Sequence, residues 1–129
     1  MSLSVMFIDD EKPILNSLKR ILHPVSDDWK VTYADSAEGA LIALKIVPVD
    51  AIVVDMCMPG MNGFELLNVI SEQYPDMVRV MMTGRTEYEI YRNGREISHY
   101  FLWKPVKAEA IKTLLQRISD QYVSSPGDS

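Results

Sequence analysis

The sequence predicts an α/β fold: a five-stranded parallel sheet with helices packed on both faces. Three observations carry this expectation. Short apolar runs alternate with amphipathic stretches along the chain. Two of the runs, Val5 to Ile8 and Ala51 to Val54, are apolar at every position. That is the pattern of a strand covered on both faces. Finally, acidic and other polar side chains follow directly on the runs, where the strand ends of an open sheet gather a site. Repeated strand–helix units imply right-handed crossovers. The expected strand order, 2-1-3-4-5, is carried over by analogy from other open doubly wound sheets of five such units.

The elements follow in order. After the first strand, Pro13 suits a first helical position. Ile14, Leu15, Leu18, Ile21 and Leu22 then recur at helical spacing until Pro24 and Asp27-Asp28. Lys30 to Ala34 alternates with period two, as a strand nearer an edge does. Ser36 can cap the second helix, whose stripe is Ala37, Ala40, Leu41 and Leu44. Ala51 to Val54 is the third strand, and Asn62 can cap a helix carrying Phe64, Leu67 and Ile70. Val78 to Met82 is the fourth strand. Thr86 and Glu89 have capping-box spacing for a fourth helix, which Asn93-Gly94 weakens. Tyr100 to Trp103 is the fifth strand. The fifth helix carries Ile111, Leu114, Leu115, Ile118 and Tyr122. Residues 4–122 are expected to form one domain, with 123–129 a tail or linker.

Composition narrows the function classes. The chain has 129 residues, 47% hydrophobic and 24% charged. A single core can form at that length without metal or disulfide staples. The net charge of -5 argues against a nucleic-acid surface, which needs a clustered positive field. With one cysteine, Cys57, no internal disulfide is possible, which fits a reducing cytoplasm. No apolar run approaches the ~20 residues of a membrane span. The first residues lack the basic segment and long apolar run of a signal peptide.

The polar residues then carry the chemistry. Asp9, Asp10 and Glu11 follow the first strand, Asp55 the third, Thr83 and Gly84 the fourth, and Lys104 and Pro105 the fifth. In the expected order, Asp9, Asp10 and Asp55 converge, and Thr83 and Lys104 close the other side. Clustered carboxylates repel, and a hard divalent cation such as Mg2+ makes them tolerable. An oxygen nucleophile, a metal, a fixed cation and a hydroxyl are what phosphoryl transfer asks for. Each element alone has a plainer reading: an acidic pair at a helix start, a strand-end turn, a surface Lys-Pro. Their joint placement outweighs those readings.

The runs Phe7-Ile8-Asp9-Asp10-Glu11, Asp55 to Gly63, Met82-Thr83-Gly84 and Lys104-Pro105 resemble the receiver domains of two-component response regulators, over about residues 4 to 122. The resemblance implies a flavodoxin-like receiver fold and a signalling switch rather than an enzyme, with slow autodephosphorylation. It implies that Asp55 accepts the phosphoryl group, and that Asp9, Asp10, Asp55 and the carbonyl of Cys57 hold Mg2+. Thr83 and Lys104 would contact the phosphoryl group, and Thr83 and Phe101 would switch together. Cys57 and Arg85 would tune hydrolysis, and the Lys104–Pro105 bond would be cis. The implied partners are a sensor histidine kinase or phosphotransfer protein, an output domain or downstream protein, and a phosphorylation-dependent homodimer; neither nucleic acid nor membrane is a direct partner. Gly94-Arg95-Glu96-Ile97 before Tyr100 to Pro105 is weakly similar to receivers joined to cyclic-dinucleotide phosphodiesterase domains.

Two rivals are weaker. A phosphohydrolase of the Asp-x-Asp type needs an acid/base carboxylate two residues after the nucleophile, and Cys57 stands there. A receiver-like module that ignores phosphate would not need the full set of chemical residues. His23 and His99 lack clustered partners and read as surface or cap residues. Trp103, Tyr88, Tyr91 and Tyr100 lie near the fourth-helix, fifth-strand and fifth-helix face, where they either pack or meet a partner.

Overall fold

The computed structural model describes residues 3–22, 29–56, 58, 60–84 and 97–123. Strands β1 (Leu3–Ile8), β2 (Trp29–Ala34), β3 (Ala51–Asp55), β4 (Val78–Thr83) and β5 (Tyr100–Trp103) form one sheet. The order is β2-β1-β3-β4-β5, as expected, and every pairing is parallel. The described helices are α1 (Lys12–Leu22), α2 (Ala37–Ile46), α3 (Gly63–Gln73) and α4 (Ala108–Val123). The fourth helix expected from sequence, with Thr86, Glu89, Tyr88, Tyr91 and Asn93-Gly94, lies outside the described residues, as does His23. Helix α4 is therefore the fifth helix of the sequence reading. No described helix is long and apolar enough to cross a membrane.

The sheet divides the core into two halves. On one side Val5, Phe7, Val53 and Val80 meet Leu15, Leu18 and Leu22 of α1 and Ile111, Leu115 and Ile118 of α4. On the other, Ile8, Ile52 and Val54 meet Ala37, Ala40 and Leu44 of α2 and Leu66, Leu67 and Ile70 of α3. Adjacent strand residues thus go to opposite halves, which explains why the runs Val5 to Ile8 and Ala51 to Val54 need no polar position. Strand β2 is an edge strand and keeps its alternation. Among the described residues the buried methionines are unevenly shared: Met6, Met56, Met58, Met77 and Met81 lie on the α2–α3 side, and Met82 on the α1–α4 side.

Caps place the helices. Ser36 accepts from the Gly39 N–H at 3.0 Å and starts α2. Asn62 and Glu65 form a reciprocal capping box at the start of α3. His99 is exposed, in keeping with its surface reading. Its Nδ1 accepts the Arg79 N–H at 3.0 Å while its own N–H donates to the Arg79 carbonyl at 2.7 Å, which locks the lead-in to β5.

The amino ends of β1 and β3 are tied by a compact clasp. The Ser4 N–H and hydroxyl donate to Asp50 Oδ2 at 2.9 and 3.1 Å, and the Asp50 N–H reaches Ser4 Oγ at 3.0 Å. Two of these bonds end on a carboxylate, which is the stronger kind. Asp50→Ala should lower stability by about 1.5–3 kcal/mol, measured by urea denaturation, because it strands the Ser4 donors.

Candidate functional site

Strand register brings the acidic groups together. Ile8 pairs with Val54, so the next residues, Asp9 and Asp55, stand side by side where β1 and β3 end. The Asp9 N–H continues the ladder to the Ala34 carbonyl at 3.1 Å. On the other flank Thr83 pairs with Trp103, and the Lys104 N–H donates to the Thr83 carbonyl at 2.8 Å. Lys104 is thereby delivered to the same end of the sheet. The Lys104–Pro105 bond is cis.

Asp9 and Asp55 are both wholly buried. Lys104 Nζ donates to Asp55 Oδ1 at 2.9 Å and stands 3.7 Å from Asp9 Oδ2. Asp9 Oδ1 accepts the Glu11 N–H at 2.9 Å, while Asp9 Oδ2 has no hydrogen-bond donor among the described residues. Burial raises the Asp9 pKa to about 6, opposed by the Glu11 N–H and reinforced by the Asp55 charge. One carboxylate oxygen from each of Asp9, Asp10, Glu11 and Asp55 lies within 4.8 Å of the others. Among the described residues one lysine does not balance four carboxylates, and a buried Asp9 oxygen there lacks a hydrogen-bond donor. The donor set is all oxygen, so these residues fit a hard divalent cation.

The wall opposite is built by α3. A Cβ on Gly63, the first residue of that helix, would stand 2.3 Å from the Asp55 carbonyl oxygen. Only glycine lets α3 begin this close to the backbone of Asp55 and Met56. Gly60 turns the preceding loop with φ of 73°. Thr83 is wholly buried, and its hydroxyl donates to the Gly84 carbonyl at 3.1 Å. Phe101 is partly buried against the α2–α3 half of the core, where β5 pairs it with Met81. Trp103 is 47% exposed, and the Tyr100 hydroxyl donates to Gln121 Oε1 at 2.6 Å.

The structure thus gathers Asp9, Asp10, Asp55 and Lys104 and sets Thr83 beside Lys104 through the backbone. Cys57 and Arg85 lie outside the described residues. Glu11 is the member of the cluster to which sequence reasoning gave no role. A charged side chain beside two aspartates was the available signal.

Residues 5–116 match the family described as response regulator receiver domain. The chain is 32% identical over 121 residues to the hydrogenase transcriptional regulatory protein HoxA of Cupriavidus necator, covering 92% of this chain and 24% of that one. It spans 24% to 34% of the length of the first curated relatives it matches. The chemotaxis protein CheY4 of Vibrio cholerae superposes with a TM-score of 0.80 at 26% identity, covering 92% of this chain and 99% of that one. The signal receiver domain of an HD domain-containing protein from Pseudomonas fluorescens reaches 0.87 at 24% identity, covering 97% and 100%, a likeness of fold.

Proposed function

The chain belongs to the response regulator receiver domain family, and from that membership we propose that Asp55 is the phosphoacceptor of a signalling switch at residues 4–122, with 123–129 as tail or linker. The observation that carries this reading is the wholly buried Asp55 carboxylate at the end of β3, held at 2.9 Å by Lys104 among three further carboxylates.

One Asp55 oxygen attacks the phosphorus of a phosphohistidine on a sensor kinase or phosphotransfer protein, in line with the bond that breaks. The imidazole leaves with the electron pair, and an acyl phosphate remains on Asp55. Lys104 transfers its donor from the Asp55 oxygen to the phosphoryl oxygens. Asp9, Asp10, Asp55 and the Cys57 carbonyl hold Mg2+, which when bound offsets the charge of the phosphoryl oxygens. The new group adds about -1.5 to -2 charges if it resembles other phosphorylated side chains. Thr83 gives up the Gly84 carbonyl and donates to a phosphoryl oxygen, and Phe101 follows into the space it leaves. The surface of the fourth helix, β5 and α4 then changes, a two-state element biased by local charge.

The domain is regulatory rather than enzymatic. Hydrolysis of its acyl phosphate is slow, tuned by Cys57 and slowed by Arg85. Its partners are the phosphodonor, an output domain or downstream protein, and a second phosphorylated copy; it works in the cytoplasm without direct contact with nucleic acid or membrane. The longer relatives support an output domain.

Incubation with acetyl phosphate, read by intact mass, tests the reading. One phosphoryl addition is expected with Mg2+ and none after chelation by EDTA. No addition under conditions that label another receiver would favour a phosphate-independent interaction module.

A further inference from the structure

Helix α2 is apolar over more of its circumference than its packing uses. Ala37, Ala40 and Leu44 are buried against the sheet. Ile42 and Ile46, four residues apart, lie on the opposite face and are 64% and 76% exposed. Val47 ends the helix at 64% exposure, and Pro48 after it is exposed as well. Exposed apolar residues scattered singly need no explanation. These are not scattered. Among the described residues four large apolar side chains are exposed, and all but Trp103 fall between positions 42 and 47. A helix that is apolar all round is ordinarily covered all round.

The charges on that face bear on what covers it. Glu38 stands in the first turn and Lys45 in the last, both exposed. Seven residues make about two turns, or roughly 10.5 Å, so the two lie on one line along the helix beside Ile42. Neither forms an ion pair among the described residues. A second α2 laid antiparallel about a two-fold axis near Ile42 brings each Glu38 opposite the other copy's Lys45, with the isoleucines between them. One patch then serves both sides, as a two-fold interface requires. A parallel copy in register would set like charges against each other.

We propose that the exposed face of α2 is a homodimer interface in which two copies of this chain pair antiparallel, with Ile42 and Ile46 packing at the centre and Glu38 meeting Lys45 at each end. Helix α2 follows the edge strand β2, while β5 forms the opposite edge of the sheet. The pairing is therefore separate from the surface invoked for the phosphorylated state and does not need the phosphoryl group. It involves few residues compared with the ~20–30 a side of a standard interface, so the dimer is weak, with a dissociation constant on the order of 100 µM.

The test is analytical sedimentation of the full, unphosphorylated chain from about 10 µM to 1 mM. The native protein should pass from monomer to dimer over that range. Ile46→Lys should weaken association by about tenfold or more with unchanged thermal melting, because the side chain it replaces is exposed. The charges give the sharper reading. Glu38→Lys and Lys45→Glu should each weaken the dimer by about threefold or more, and the double exchange should restore it. An effect through the helix alone would run the other way, since each exchange opposes the helix dipole and the double variant would then be the weakest. A monomer throughout the range, native association in Ile46→Lys, or a double variant weaker than either single one overturns the proposal. Each of these leaves phosphoryl uptake, and with it the switch reading, untouched.

Discussion

Asp55→Asn is expected to abolish phosphoryl uptake from acetyl phosphate while leaving the protein folded. The amide has no carboxylate oxygen to attack phosphorus, and no other group in the cluster is held as Asp55 is. Asp9 has one oxygen engaged by the Glu11 N–H and favours its protonated form more than an ordinary carboxylate does. Asp10 and Glu11 reach solvent. For stability, two effects oppose each other. The substitution removes a charged partner at 2.9 Å from Lys104, but it also relieves repulsion among four carboxylates. Lys104 keeps Asp9 at 3.7 Å as an alternative partner. Intact mass and a thermal melt on the same sample read both predictions. A phosphoryl group still added to the variant would assign the acceptor elsewhere.

Gly63→Ala should be the most damaging small substitution in the site. Helix propensity argues the other way, since alanine is favoured over glycine by about 1 kcal/mol inside a helix. No positive φ holds the position for glycine, because Gly60 alone among the described residues has one. The contacts decide. The new Cβ would lie 2.3 Å from the Asp55 carbonyl oxygen, 2.6 Å from Met56 Cα and 2.9 Å from the Asp55 carbonyl carbon. All three are backbone atoms of a buried strand end, and no side-chain rotation relieves them. Helix α3 must move off β3, opening the packing of Leu66, Leu67 and Ile70. Overpacking against fixed backbone falls at the upper end of its usual range, about 3 kcal/mol, against at most ~1 kcal/mol gained from propensity at this first helical position. Urea denaturation should show that net loss. Phosphoryl uptake should also slow at temperatures where the variant is folded, because the displaced backbone carries Asp55.

The same glycine marks where sequence reading stopped short on the fold. Spacing in α3 points to Phe64, Leu67 and Ile70 as the inner face. The buried set is Gly63, Leu66, Leu67 and Ile70, and Phe64 is only partly covered. The helix is rotated so that its glycine lies against the strand, and periodicity alone carries no information about that close approach. Strands were easier. The runs at β1 and β3 have no polar position because both faces are covered, and that is visible in one dimension. Strand order was not, since it depends on how units stack, and it had to be taken from similar sheets. In the site, Asp9, Asp55 and Lys104 were legible because residues at strand ends have few places to go. Glu11 was hidden by its address: an acid just before a helix has a sufficient explanation in the dipole.

The uneven sharing of methionine has a mechanical meaning. Branched side chains with few rotamers resist deformation, whereas the unbranched thioether adapts to irregular space at little expense. Among the described residues, five buried methionines line the half of the core that contains Phe101, and one lines the half held by α1 and α4. If Asp55 takes up a phosphoryl group as proposed, the half of the core richer in methionine, where Phe101 rests, is expected to accommodate the displacement more readily than the half packed with branched side chains.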